Sequence, residues 1–228
     1  MTQYSVFQSG TGLGVSGPGS STSYTGTWVG GLYFEVTSPA QYLYGFYLWR
    51  ADSSQLSSSS FALWTVTAPG TGTVNASTEV SGSGFTAGAW NYVPLGSPYA
   101  LSTGTVYMAV YGYAAGNFPE TKPSFGTGGA YAAGIVSGPI TVYSGHSSDG
   151  GTGAQAFAAF YAQGSFDTAG PPSTDLPNSD DSAANFWIDF LIGPAGTSSG
   201  PLLGLQPLVQ APVTAVSVSG WRNAAHSR

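Results

Sequence analysis

Hydrophobic residues in this chain recur at every second position in short runs, and each run stops at Gly, Pro, Ser or Asn. Trp28–Val36 sets Trp28, Gly30, Leu32, Phe34 and Val36 on one face and Tyr33 and Glu35 on the other, until Ser38-Pro39 breaks it. In Tyr42–Arg50, Leu43, Phe46 and Leu48 share a face only if Gly45 sits in a bulge. Phe61–Thr67 reads as a strand ended by Pro69-Gly70, and Thr73–Val80 and Ala89–Leu95 as two more. Thr105–Tyr113 places Val106, Met108 and Val110 opposite Tyr107, Ala109 and Tyr111. Ile140–Tyr143 is a further short strand, Met1–Phe7 a first one ahead of a Gly/Ser loop over 9–23, and Phe157–Tyr161 fits either helix or strand. In Asn185–Ile192, Phe186, Ile188, Phe190 and Ile192 alternate with Trp187, Asp189 and Leu191, and Gly193-Pro194 stops the run. The lone carboxylate of Asp189 among bulky apolar neighbours predicts one buried face and one face that still meets polar atoms.

Eight or more short strands at near-regular spacing, with no helical period between them, predict an all-β fold: an antiparallel, jelly-roll-like β-sandwich over residues 1–192. Leu32, Phe34, Leu48, Trp64, Val110 and Ile188 are its expected core between the sheets. No internal repeat is present. Residues 193–200 read as a linker, and 201–228 as an extended, Pro-interrupted arm too apolar to lie in water at no cost. Leu202, Leu205, Leu208 and Trp221 are the arm's candidate anchors on a neighbouring subunit.

Composition sharpens this picture. Charged residues make up 6% of the chain and aromatics 14%, with 34 glycines, against a usual charged share of about a quarter. Net charge is −6 and the only cations are Arg50, Lys122, Arg222 and Arg228. Nucleic acid is therefore excluded as a partner, because phosphate neutralisation needs clustered cations. Anionic membrane surfaces are excluded for the same reason, and no apolar run reaches the ~18 residues of a spanning helix. Without cysteine there is neither a disulfide nor a thiolate metal site. Met1–Phe7 lacks the basic and apolar regions of a secretory leader, whereas the uncharged Tyr/Gly/Ser/Thr composition reads as extracellular.

Several segments together resemble an uncharacterised β-sandwich domain family of secreted actinobacterial proteins and their phages. Gly31-Leu32-Tyr33-Phe34 is similar to its early apolar-Gly-aromatic strand, Leu43–Leu48 to its second strand, and Ala62-Leu63-Trp64-Thr65 to its Leu-Trp strand. Phe85 with Gly88–Val93, Leu101 with Gly104–Tyr111, and Leu176-Pro177 with Asn185–Phe190 continue the resemblance in order. Family members occur beside glycoside hydrolase, adhesin and carbohydrate-binding modules, so the resemblance implies a binding or display role. The chain departs from the pattern in its Gly/Ser-rich insertions near 127–134 and 144–153.

Candidate chemistry is sparse. His146-Ser147-Ser148-Asp149 holds the residue types of a hydrolase triad, but triad members converge from separate elements, and a Gly/Ser cluster reads as a loop. His226 lies in the arm, so no second histidine supports a metal. Asp175, Asp180 and Asp181, with Asn178, form an oxygen-rich stretch that is a candidate calcium site, although Asp and Asn are also good turn formers. Tyr42, Tyr44, Tyr107, Tyr111 and Tyr113 are candidate contacts for a glycan or protein partner, set against the plainer role of core packing. Asn75-Ala76-Ser77 fits the glycosylation sequon and reads as accidental.

The expected function is therefore non-enzymatic: a phage virion component, capsid decoration or tail-associated, partnered by other virion proteins and by copies of itself, with host-surface glycan as a ligand. A virion location reconciles an extracellular composition with the missing leader. The alternative is a carbohydrate-binding or adhesin module of a secreted bacterial protein, with an extracellular location. Apart from calcium, no cofactor is implied.

Overall fold

The computed structural model describes residues 2–196 except 9, 25–26, 69, 114–115, 123, 126–127, 145–164, 168–169, 178 and 181–183; for 22–24, 113, 116, 165–167 and 179–180 it describes the backbone alone. Among the described residues the chain is all-β, with one 3-10 turn at Ala76–Thr78 and no α-helix. The strands are β1 (Thr22–Tyr24), β2 (Trp28–Val36), β3 (Gln41–Arg50), β4 (Ser58–Ala68), β5 (Thr71–Val74), β6 (Val80–Ser83) and β7 (Ala89–Leu101). They continue as β8 (Val106–Tyr113), β9 (Gly116–Phe118), β10 (Ile135–Ser137), β11 (Ile140–Val142), β12 (Ser165–Asp167), β13 (Ser179–Asp180) and β14 (Ile188–Pro194).

A nine-stranded sheet follows the order β10-β11-β2-β8-β4-β5, with β12 and β13 beside the start of β2 and β6 beside the start of β4. The second sheet is β14-β3-β7, and β1 pairs separately with β9. The pairings between these strands are antiparallel throughout. From β2 to β3, β3 to β4, β6 to β7 and β7 to β8 the chain crosses between the sheets, so neighbours in sequence pack face to face as in a jelly roll. Aromatic rings fill the interior: Phe34 of β2 stacks on Phe190 of β14 at 3.9 Å, and Phe46 of β3 on Phe61 of β4 at 5.5 Å.

The bulge required by the hydrophobic pattern of β3 is present. Opposite β14 the register passes from Leu43 to Gly45, leaving Tyr44 as the extra residue. A Cβ on Gly45 would lie 2.8 Å from the Tyr92 ring and 2.5 Å from the Val93 carbonyl oxygen, so a side chain there would push β7 away. Leu43, Phe46 and Leu48 consequently all face the core.

All six expected core residues are buried, but two face the other way. Trp64 and Val110 belong to a second cluster with Val29, Tyr33, Ala62, Val66, Met108 and Leu176 on the outer face of the large sheet. Alternation along β2, β4 and β8 separates two sets of positions; where both sets are apolar it does not say which one meets the second sheet.

Three expected elements are corrected. Met1–Phe7 is not a strand over its described residues: Tyr4 makes one isolated bridge to Ile192, the Ser5 N–H donates to the Thr11 carbonyl, and those of Val6 and Phe7 turn to the Asp189 side chain instead of a ladder. Thr73–Val80 is split into β5 and β6 by the 3-10 turn, whose Thr78 hydroxyl accepts the Leu63 N–H at 2.9 Å. The last strand begins at Ile188, because Trp187 adopts φ +53° while its N–H donates to Asn185 Oδ1 at 2.8 Å. That kink buries Phe186, Trp187 and Ile188 in succession, which an unbroken strand cannot do. The Phe157–Tyr161 reading lies outside the described residues.

Candidate functional site

The start of β4 is Ser58-Ser59-Ser60, and β6 pairs with it as Ser58↔Ser83, Ser59↔Gly82 and Ser60↔Ser81. Residues opposed in an antiparallel pair share a face, so Ser58, Ser60, Ser81 and Ser83 lie on the outer face of the large sheet, two residues along from Ala62. Ser59 is turned inward and donates to the Gly112 carbonyl at 2.8 Å. Two shallow clefts flank this hydroxyl array. One, of about 310 Å³, is walled by Phe61, Glu79, Val80 and the Pro171–Ser173 turn; the other, of about 360 Å³, by Leu56, Ser58, Ser83 and Gly112.

The turn that walls the first cleft is fixed from below. Trp64 donates its indole N–H to the Pro172 carbonyl at 2.7 Å. Asp175 Oδ2 accepts the Gly170 N–H at 2.8 Å. Pro172 sits so close to β8 that a Cβ on Gly112 would lie 2.8 Å from its ring.

The outer face of the small sheet is organised differently, around a charge. Asp189 is wholly buried, and its carboxylate accepts backbone N–H bonds from Val6 and Phe7 at 2.8 Å each, Gln8 at 3.1 Å and Phe190 at 2.7 Å. Burial pushes its pKa up to about 6, with the four donors holding the rise down. The Tyr47 phenol is raised first by its own burial and then by the Asp189 charge. With these contacts the N-terminal segment is drawn over the sheet: Phe7 lies among Trp90, Tyr131 and Trp187. Trp90 and Trp49 donate their indole N–H groups to the Val15 and Pro18 carbonyls, both at 2.9 Å. Trp187 donates likewise to Thr121 Oγ1 at 2.9 Å. Aromatic residues that read as contact or core candidates thus also act as loop anchors.

The expected tyrosine contacts separate. Tyr107 and Tyr111 lie between the sheets; Tyr107 accepts the Ser102 N–H at 2.8 Å and Tyr111 donates to the Phe186 carbonyl at 2.7 Å. They are structural, because their positions on β8 face the small sheet. Tyr44 is also buried and donates to the Pro194 carbonyl at 2.6 Å, while Tyr42 beside it is half-buried. Those two do come together, joined by Tyr47, Tyr92, Trp90 and Leu191 in a patch on the outer face of the small sheet. The Gly45 bulge is the signal that could have added Tyr47, since it shifts the parity of β3. The side chain of Tyr113 lies outside the described residues.

Asp175 holds its own turn, while the Asp180 side chain and all of Asp181 lie outside the described residues, so the calcium set is not brought together among those described. Among the described residues no three His, Asp or Glu side chains gather. Asn75 is engaged: its amide donates to the Leu63 carbonyl at 3.1 Å and to Thr65 Oγ1 at 3.2 Å, and accepts from the Tyr99 hydroxyl at 2.8 Å. His146, Asp149, Leu202, Leu205, Leu208 and Trp221 lie outside the described residues.

The chain matches no protein-family model and no curated protein. Over 85% of its length it is similar in structure to a clostridial cysteine protease, Cwp84, after propeptide cleavage, at 14% identity and a TM-score of 0.42. It spans 40% of that chain. Likeness of that degree carries no argument about activity, and the present sequence holds no cysteine.

Proposed function

We propose that this chain is a non-enzymatic structural and interaction protein of a phage particle, on capsid or tail, displaying its β-sandwich outward. Its partners are other virion proteins, copies of itself through the C-terminal arm, and glycans of the host surface. The observation that carries the reading is how the described domain uses its polar groups. Four indole N–H groups and a buried carboxylate fix the irregular connections, and the outward clefts present serine hydroxyls and proline. A surface with so little charge meets its partners through shape and hydroxyl hydrogen bonds, and its contacts weaken little with salt. The family resemblance adds a display role. A protein inventory of purified particles tests this: the chain is expected in stoichiometric amount, and its presence only in the secreted fraction of the host would sink the proposal.

The serine-lined clefts favour a second reading, a carbohydrate-binding or adhesin module of a secreted bacterial protein. Glycan-array binding by the whole chain, together with absence from particles, would select it.

A further inference from the structure

The two clefts on the large sheet are continuous. Both are lined by Ser60 and Ser81, the pair opposed across β4 and β6, so the cleft at the Pro171–Ser173 turn meets the cleft at Ser58 and Ser83 there. Glu79 lines the first and Ser83 the second. Extended chain joins them, so the groove runs about 13 Å, longer than one sugar ring. Its walls stand before any ligand arrives: the β4–β6 ladder forms the floor, and Trp64 and Gly112 seat the proline turn. Binding there orders little additional chain.

The polar groups of the groove are unengaged. Ser58, Ser81, Ser83 and Glu79 are exposed and Ser60 is half-buried. Among the described residues their side chains make no hydrogen bond or ion pair, unlike that of the inward-turned Ser59. Glu79 is also the one charged residue among the described residues lining either cleft.

This set selects a chemistry. A hydroxyl both donates and accepts, whereas a carboxylate only accepts. The serines therefore suit a ligand covered in hydroxyls, and the two oxygens of Glu79 suit neighbouring hydroxyls that both donate. The exposed Pro171 ring offers an apolar surface to the C–H face of a sugar. A lysine from a protein partner would engage Glu79 but leave the serines facing methylene groups. An acidic glycan would bring its charge against Glu79 with no cation alongside to offset it. Arg50 is turned to the carbonyls of Ser53, Gln55 and Phe85, and Lys122 is paired with Glu120.

Building on the glycan partner named above, we propose that this groove binds a neutral glycan across both clefts. Glu79 is its specificity-determining residue: it accepts two neighbouring sugar hydroxyls and turns acidic glycans away.

The test applies the whole chain, Glu79→Gln and Glu79→Lys to an array of neutral oligosaccharides and their uronic-acid and sulfated counterparts. Wild type should prefer the neutral members by about tenfold or more. Glu79→Gln should lose about tenfold on the neutral ligand, as for charge-assisted hydrogen bonds removed, and should lose nothing on the acidic ones. Glu79→Lys should reverse the preference. Since the Glu79 side chain is exposed, both variants should keep the wild-type circular dichroism. Neutral binding unchanged in Glu79→Gln, or acidic counterparts bound as tightly by wild type, overturns this proposal and leaves the glycan partner standing with another site. Binding to no glycan at all removes both.

Discussion

The two outer faces of the sandwich are both closed by irregular chain, but by opposite chemistry. On the small sheet a fully buried carboxylate receives four backbone N–H groups. On the large sheet a proline turn rests on Gly112, with the indole of Trp64 beneath it. The first closure is specific: only an acceptor with two oxygens at that point satisfies so many donors, and those four donors are backbone amides, not cations. The second is mainly steric, and its single indole bond fixes where the turn sits. A buried charge makes its closure strong and sensitive to proton concentration; close packing makes its closure graded.

Replacing Asp189 should therefore produce the largest effect. Asp189→Ala leaves four buried or part-buried N–H groups without their acceptor, each worth roughly 1–3 kcal/mol, so a loss of about 4 kcal/mol or more is expected. Chemical denaturation measures it, and hydrogen exchange should show residues 4–15 released first. A loss no greater than that from Trp64→Phe, expected near 1 kcal/mol for one hydrogen bond, would erase the contrast between the faces.

Acidity sharpens the comparison next. The carboxyl titrates near its ordinary 3.8 in the unfolded chain and at about 6 in the fold. Below the lower value both states hold the proton. Between the two the unfolded chain releases it first, so stability falls as pH rises, by up to about 3 kcal/mol, and levels off above about 6. Unfolding free energies of wild type and Asp189→Asn across pH 3.5–7 should differ by this slope. Parallel curves would show that the four donors cancel the effect of burial.

The large-sheet face is probed by Gly112→Ala. The added methyl would press on Pro172 from 2.8 Å, and overpacking of this kind costs roughly 1–3 kcal/mol. Since the turn is surface chain, the strain should appear as displacement of residues 170–176 more than as global unfolding. Exchange protection confined to that turn would change; a uniform drop across β2, β4 and β8 would mean that the turn is part of the core.

Much of the fold was legible in the residues. Strand β2 could be read residue for residue, and Leu43, Phe46 and Leu48 demanded the bulge that Gly45 supplies. Asp189 stood out as a lone carboxylate in an apolar run. Its partners were hidden, because backbone N–H groups of Val6, Phe7 and Gln8 leave no mark on residue identity. The same holds for the carbonyls that receive the tryptophan N–H groups. Strands of two or three residues such as β9, β10 and β13 are too short to show a period, and their pairing is set by neighbours distant in sequence. The hydroxyl array was not legible because Ser58–Ser60 and Ser81–Ser83 carry no hydrophobic period, and only the β4–β6 register lays them side by side.

That array yields the smallest expected effect on stability and the most direct one on function. Ser58 and Ser83 are exposed, opposed across β4 and β6, and border the second cleft. Replacing both with alanine removes two solvated hydroxyls and leaves the backbone ladder intact, so the unfolding free energy should change by no more than the about ±0.5 kcal/mol typical of surface changes, with a correspondingly small shift in melting temperature. If the clefts receive a sugar, the same double variant loses hydrogen bonds that the ligand would otherwise make in place of water, and binding on a glycan array should weaken about tenfold, as for one to two neutral hydrogen bonds. Unaltered glycan binding would move recognition away from the large sheet. A fall in melting temperature comparable to that of Gly112→Ala would instead show that the hydroxyls hold the fold together, and the two outer faces would then both be structural.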